Sequence, residues 1–163
     1  MGKLLKKVAL MCVLALIFSL VAACEPVSVN DEKTVTVTVV AGEFEQSFEA
    51  KGEIAVVVDA LDILNEKDDG FNYTYEATQY GRMIKSICGY AEDAANWKYW
   101  MVYTDDMRVI DTLLGEDVYN VYFNEETGEP YSYVYNGKTY YSTGLGVDGQ
   151  TVIDGENFLF VLG

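Results

Sequence analysis

Short segments in which apolar and polar residues alternate run through most of this 163-residue chain. The clearest covers 34–40, and Glu43 to Lys51 alternates again after the Ala41-Gly42 turn. A two-residue period is typical of a strand with one buried face, so these segments predict a hairpin. The same criteria predict strands over 71–76, 83–88, 97–103, 118–123, 131–135, 138–142 and 158–162. Asn136-Gly137, between two of them, is the strongest short hairpin signal.

One segment changes to a helical period. Over 55–66, Val57, Leu61 and Leu64 recur at the spacing that places them on one helix face. Gly70 follows the acidic turn after this segment and is expected to stop the helix. One helix among many short strands predicts the α+β class.

The N-terminus has the composition of an export signal. A basic segment over 2–7 precedes an apolar run from Val8 to Leu20, which is too short to span a membrane. Small residues then lead to Cys24, and this order resembles the lipobox of bacterial lipoproteins. It predicts a signal peptide over 1–23 that begins as a helix, a lipid on Cys24 and a tether over 24–33. The protein is thus expected outside the cytoplasm, lipid-anchored to the bacterial membrane or cell surface, with one domain over 34–163.

Charge and residue types restrict the function. Three of the 11 basic residues lie in the signal, so 8 remain against 26 acidic residues, a net charge of −18. This charge argues against nucleic acid as a partner. The chain has no histidine, which excludes Ser-His-Asp catalysis and most zinc sites. Cys88 is expected to be a small buried apolar residue, and the adjacent acidic pairs are expected to be solvated turns. The sequence therefore predicts neither an enzyme nor a resident metal or cofactor.

Aromatic residues are unusually frequent, with 13 tyrosines and 2 tryptophans. In a strand over 97–103, alternation places Trp97, Tyr99 and Tyr103 on one face and Trp100 on the other. Two interpretations remain open. The rings either pack in the core and across strands, or form a platform for a planar or sugar-like ligand.

Five segments in chain order resemble the bacterial members of the transcobalamin-like C-terminal domain family. They are Val57-Val58-Asp59-Ala60-Leu61, Gly81 with Ile84-Lys85-Ser86-Ile87-Cys88-Gly89, Tyr99-Trp100-Met101-Val102-Tyr103, Tyr135-Asn136-Gly137-Lys138, and Gly146-Val147-Asp148 with Asp154-Gly155-Glu156-Asn157-Phe158. The resemblance implies a β-grasp-like fold, a mixed sheet packed on one helix. The segment over 104–132 departs from the family pattern and is expected to insert a strand or an edge hairpin.

The resemblance also implies a function, because in animal cobalamin carriers the corresponding domain covers one face of the corrinoid. We therefore expect a non-enzymatic surface lipoprotein that binds an extracellular ligand, with a cobalamin-like corrinoid for uptake as one candidate and an uptake transporter as a partner. The expected ligand contacts are Trp97, Tyr99, Trp100, Tyr103, Tyr141 and Thr143, the last of which begins a loop that runs to Asp148. The alternative is an adhesive or structural surface module that binds protein or glycan through 104–132.

Overall fold

The computed structural model describes residues 32–110, 117–119 and 121–163, and Glu32 to Gly163 form one compact unit. The predicted signal peptide over 1–23, Cys24 and most of the tether lie outside the described residues. No helix within the described ranges is long and apolar enough to cross a membrane.

The elements alternate between strands and short connections, with one α-helix in the described chain. In chain order they are β1 (Lys33–Ala41), β2 (Phe44–Gly52), α1 (Val57–Lys67), β3 (Tyr73–Thr78), β4 (Gly81–Ile87), β5 (Tyr90–Ala91), a 3₁₀ turn (Ala94–Asn96), β6 (Trp100–Thr104), β7 (Arg108–Ile110), β8 (Asp117–Tyr119), β9 (Ser132–Tyr135), β10 (Lys138–Ser142) and β11 (Asn157–Leu162).

A six-stranded sheet in the order β2-β1-β11-β6-β10-β9 organises the domain. The pair β1 and β11 is parallel, whereas the other pairs of neighbouring strands in this sheet are antiparallel. The sheet is therefore open and mixed, and with α1 it confirms the α+β class. The strand order is compatible with the β-grasp-like arrangement that the resemblance implies.

The core lies between one face of this sheet and α1. Every second side chain of β1 points into this core, namely Val35, Val37 and Val39. In β11 the same is true of Phe158 and Phe160. Leu61 and Leu64 of α1 are buried against them, as the helical spacing predicts. Burial of each such side chain stabilises the fold by about 1.5–3 kcal/mol relative to exposure.

The ends of α1 are held by side chains and by a distant loop. At the N-terminus, Asp59 Oδ2 accepts hydrogen bonds from the backbone N–H groups of Ala55 and Val56 at 2.9 and 3.0 Å. The N–H of Val58 donates to the carbonyl of Val147 at 3.0 Å, which attaches the 143–148 loop to the helix. This satisfies backbone donors that a helix start leaves unpaired.

The C-terminus of α1 differs from the predicted glycine stop. The helix ends at Lys67, Asp68 is extended, and the Gly70 N–H donates to Asp68 Oδ1 at 2.8 Å. Gly70 does not adopt the left-handed conformation of a glycine cap. The turn after the helix is therefore formed by a hydrogen bond to an aspartate side chain, which readily forms such local turns, and not by a left-handed glycine cap.

The β9–β10 hairpin bends over the outer face of the sheet, the side away from α1. Only Tyr141 and Ser142 of β10 pair with β6, so the rest of the hairpin is free to leave the sheet plane. Its tip reaches the far edge strand, where Asn136 Nδ2 donates to Glu45 Oε1 at 3.4 Å. Leu159, which faces outward on β11, is 0% exposed beneath this cover.

The 104–132 segment contains a separate two-stranded ribbon in which β7 pairs with β8. The chain then returns to the main sheet through a bridge between Val121 and Thr143. The predicted strand over 118–123 is thus divided between β8 and this bridge. A turn follows, in which Asn124 Oδ1 accepts the N–H groups of Glu126 and Thr127 at 2.9 and 3.1 Å.

Cys88 is only partly buried, although it packs against the core as expected of a small apolar residue. Its φ of 50° is left-handed, and the Gly89 that follows also has a positive φ. This turn separates β4 from β5. Burial raises the pKa of the Cys88 thiol, which makes it a poor nucleophile.

Candidate functional site

The tryptophan segment begins its strand later than predicted. Ala94 to Asn96 form a 3₁₀ turn, after which Trp97 is left-handed with φ of 60° and its residue surface is 79% exposed. Asp93 and Lys98 exchange backbone hydrogen bonds at 3.0 Å and close this loop. Trp97 therefore does not share a strand face with Tyr99 and Tyr103, because the turn separates it from β6.

Within β6 the predicted alternation holds. Trp100 and Thr104 are buried on the side of α1, and Met101 and Tyr103 face outward. The Tyr103 ring lies 5.5 Å from the ring of Tyr133 on the bent hairpin, and burial raises the pKa of Tyr103. Tyr103 is therefore placed on the opposite face of the sheet from Trp100.

The two remaining predicted contacts lie at the junction of β6 and β10. Tyr141 is half-buried and pairs with Thr104 across the strands. Thr143 is buried, and both its backbone N–H and its Oγ1 donate to the Val102 carbonyl, at 3.0 and 3.2 Å. These bonds give Thr143 a supporting position beside Val102, which itself lines a cleft.

That cleft lies between β4, the start of β6 and the 143–148 loop, with a volume of about 310 Å³. Its lining is mainly apolar. The residues that line it are Arg82, Met83, Ile84, Glu92, Tyr99, Trp100, Val102, Gly146 and Val147. The structure thus brings Tyr99 and Trp100 together with the predicted loop, whereas Trp97, Tyr103 and Tyr141 lie elsewhere.

Trp100 forms part of the cleft wall and carries an unusual polar group. Its residue surface is 9% exposed, and its indole Nε1 is buried without a hydrogen-bond partner among the described residues. An indole N–H is a donor only, and leaving such a donor unsatisfied costs about 1–3 kcal/mol. Buried tryptophans usually satisfy this group. Nε1 itself has almost no accessible surface, so this donor is not open to a ligand in the cleft.

Arg82 lies in the β4 wall of the cleft and forms hydrogen bonds and ion pairs with neighbouring residues. Its Nη1 donates to Asp62 Oδ2 at 2.9 Å and to the Tyr73 hydroxyl at 2.9 Å. The Arg82 backbone N–H donates to Asp148 Oδ2 at 2.5 Å, and Nε lies 3.5 Å from Asp148 Oδ1. Burial and the Asp62 carboxylate together raise the pKa of Tyr73. The guanidinium is thus already engaged by protein groups.

Gly81 permits the loop to approach β4. A methyl group at Gly81 would lie 2.9 Å from Asp148 Oδ2, and its φ of 105° also favours glycine. Two segments of the sequence resemblance, Gly81 and Gly146 to Asp148, therefore meet at one wall of the cleft. Arg82, Met83, Ile84 and Glu92 were not predicted from the sequence, since no local pattern distinguishes them from an ordinary strand.

Cation ligands are not concentrated at this site. No group of three or more histidine, cysteine, aspartate or glutamate side chains within the described ranges is arranged to hold a metal ion. The carboxylates near the cleft are paired with cations, as Glu92 Oε1 is with Lys85 Nζ at 2.7 Å. The cleft is suited to apolar contact with a few polar groups, the usual character of a small-molecule site.

Fold and cleft together define an α+β domain with a candidate small-molecule site. No family model and no curated protein matches the chain. Among solved structures, the chain is similar to haptocorrin in complex with Cbi, with a TM-score of 0.54 and 15% identity over 82% of this chain. It spans 25% of the haptocorrin chain. A candidate metal-binding protein from Ruminococcus gnavus ATCC 29149 is 20% identical over 81% of this chain and 97% of that one, with a TM-score of 0.49. At these identities the haptocorrin likeness shows a shared fold.

Proposed function

We propose that this protein is a non-enzymatic, lipid-anchored surface protein that captures an extracellular small molecule in the cleft between β4, β6 and the 143–148 loop. The observation that carries the proposal is the cleft itself, whose lining is mainly apolar with a few polar groups and includes Tyr99 and Trp100. The lipobox ending at Cys24 supports attachment to the membrane. Because the sequence of this membrane-attached protein has no catalytic pattern, we favour a role in holding a ligand. An uptake transporter would then receive that ligand.

A corrinoid is the ligand that the sequence resemblance implies, and the fold shared with haptocorrin is compatible with it. A cleft of about 310 Å³ is at the lower end of small-molecule sites, and a corrinoid is larger. The cleft would therefore receive one edge or one amide side arm of the macrocycle. Tyr99, which is 36% exposed beside the cleft, would contact the rest of that ligand.

Tryptophan fluorescence tests the corrinoid version. We expect cyanocobalamin to quench the emission of the Trp97→Phe variant saturably, because Trp100 is then the sole tryptophan and lies in the cleft wall. The emission of N-acetyltryptophanamide at the same cyanocobalamin concentrations corrects for light absorbed by the ligand. Quenching of the protein that only equals this correction would exclude the corrinoid.

A second function, adhesion through a glycan, is favoured by a row of tyrosines beside the bent hairpin. Tyr122 lies directly across from Tyr131, whose N–H donates to the Tyr122 carbonyl at 2.9 Å. Tyr133 follows two residues later and extends the row towards Tyr103. Tyr122 and Tyr131 are 58% and 54% exposed, so their rings and hydroxyls are accessible to a sugar. This row lies mostly within the 104–132 segment.

Sedimentation with insoluble peptidoglycan tests this second function. We expect the double variant Tyr122→Ala/Tyr131→Ala to weaken binding by about thirtyfold, since each ring contributes roughly 1 kcal/mol of stacking. Tyr80→Ala is the matched control, because Tyr80 is exposed in the turn between β3 and β4. Equal binding by the double variant and the control would remove the tyrosine row as an adhesive surface.

A further inference from the structure

We propose that the tyrosine row formed by Tyr122, Tyr131 and Tyr133 binds a glycan whose sugars carry free amino groups, and that the Glu129 carboxylate pairs with one of these ammonium groups. This inference rests on the second proposed function, adhesion through a glycan, and specifies the chemistry of the sugar. A glucosamine polymer should therefore bind this surface more tightly than the same polymer with its amino groups acetylated.

The backbone register places Glu129 on the same face as the tyrosine row. The Tyr131 N–H donates to the Tyr122 carbonyl at 2.9 Å. Two residues nearer the turn, the Asn124 N–H donates to the Glu129 carbonyl at 2.8 Å. Side chains two positions apart in such an extended segment point to one side, about 6–7 Å from each other. Glu129, Tyr131 and Tyr133 therefore follow one another along this face, with Tyr122 beside Tyr131.

The Glu129 carboxylate is available to a cation. Glu129 is exposed, and its carboxylate forms no ion pair or hydrogen bond with any residue that the structure describes. Glu125 and Glu126, in the adjoining turn, are also exposed. Lys138, further along the same hairpin, is already engaged by Asp105 Oδ2 at 2.5 Å. This end of the row therefore carries negative charge that attracts a cationic ligand.

The tyrosine rings favour a sugar as the carrier of that positive charge. A tyrosine ring offers a flat apolar surface to the C–H groups of a sugar, and its hydroxyl can hydrogen-bond to the sugar's polar groups. The separation of Glu129 from Tyr131, about 6–7 Å, is comparable to the length of one sugar unit. A glucosamine stacked on Tyr131 thus brings an ammonium group within reach of Glu129. An acetylated amino group is neutral and cannot form this ion pair.

Two oligosaccharides of equal length test the inference, one built from glucosamine and the other from N-acetylglucosamine. Calorimetric titrations at pH 5.5 keep the amino groups and exposed glutamates charged. We expect the glucosamine oligomer to bind about twofold to fivefold more tightly, since an exposed ion pair adds a modest attraction to the stacking. Equal or tighter binding of the N-acetylglucosamine oligomer would overturn the inference and leave glycan adhesion intact.

The Glu129→Gln variant tests the carboxylate itself. We expect it to weaken binding of the glucosamine oligomer about twofold to fivefold and to leave binding of the N-acetylglucosamine oligomer unchanged. Glu66→Gln is the matched control, because it removes the same charge from an exposed position on α1, on the other side of the sheet. An equal loss in both variants would reveal a general charge effect and overturn the role of Glu129.

The Tyr122→Ala/Tyr131→Ala variant separates a glycan from a basic peptide. We expect it to lose binding of both oligosaccharides but to bind oligolysine as the natural protein does, because oligolysine has charge without a sugar ring to stack. If oligolysine binding falls together with that of the glucosamine oligomer, the row is a site for basic peptides and the inference is overturned. If the natural protein binds neither oligosaccharide, glycan adhesion fails and the inference fails with it.

Discussion

Replacing Leu159 by alanine is expected to lower the free energy of unfolding by about 2–5 kcal/mol, as buried leucine truncations do. Leu159 faces away from α1, between Thr38 of β1 and Tyr103 of β6, and it is 0% exposed. A sheet face open to water would leave this side chain solvated. The expected loss arises because the β9–β10 hairpin covers the outer face and the truncation leaves a cavity beneath it.

Urea unfolding of the purified protein measures this loss. Val134→Ala is the control on the same hairpin, because Val134 is 67% exposed, and we expect a change within about 0.5 kcal/mol. Phe160→Ala reports the opposite face, where truncation in the core is expected to cost about 3–5 kcal/mol. A Leu159→Ala effect no larger than that of the Val134 control would show that the hairpin does not cover β11.

The buried carboxyl of Glu156 is expected to make stability depend on pH near neutrality. Its pKa is raised from 4.5 to about 7, chiefly by desolvation and to a smaller extent by the nearby carboxylates of Asp105 and Asp106. Hydrogen bonds from the Thr104 hydroxyl and the Ile153 N–H, the latter at 2.9 Å, oppose the shift. The folded protein therefore holds this proton more tightly than the unfolded chain does.

The protonated carboxyl favours the folded state fully below about pH 4.5, and this contribution is lost as pH rises to and through about 7. The complete loss amounts to roughly 3 kcal/mol, at about 1.4 kcal/mol for each pKa unit. We therefore expect Glu156→Gln, which cannot ionise, to be more stable relative to the natural protein at pH 8 than at pH 4.5 by about this amount.

Urea unfolding of both proteins at pH 4.5, 6 and 8 measures the difference. Titrating groups that are not coupled to Glu156, such as Asp93, whose pKa is lowered by its hydrogen bond from the Asn96 side chain, affect both proteins equally and cancel. Glu129→Gln is a control at an exposed carboxyl, and we expect it to produce no comparable change. A difference between natural and Glu156→Gln protein that stays constant across these pH values would contradict the burial argument.

Much of the secondary structure is predictable from local patterns. The β1–β2 hairpin, α1, the turn at Asn136 and β11 all lie within two residues of their predicted positions. Alternation and helical spacing involve residues that are close in the sequence, so they can be recognised without knowledge of the tertiary structure. The error at Trp97 has the opposite cause, because the pairing of Asp93 with Lys98 is a loop closure that alternation does not reveal.

The candidate site is only partly predictable from the sequence, because it combines residues that are far apart in the chain. Aromatic richness indicated Tyr99 and Trp100, and the resemblance indicated the loop that contains Gly146 and Val147. The β4 wall was missed because its residues lie about 60 positions before that loop. Whether any of these residues contacts a ligand stays a prediction that the experiments above decide.

Side-chain periodicity is enough to predict where the chain forms strands and its helix, because it selects locally between a pleated strand and a helix. The acidic charge and the absence of histidine chemistry are likewise properties of the residue types alone. Which aromatic residues share a cavity depends instead on long-range packing. Asp148 binds the backbone of Arg82 because Gly81 leaves room for it, and this long-range contact brings the 143–148 loop against β4 to form the cleft that Tyr99 and Trp100 line.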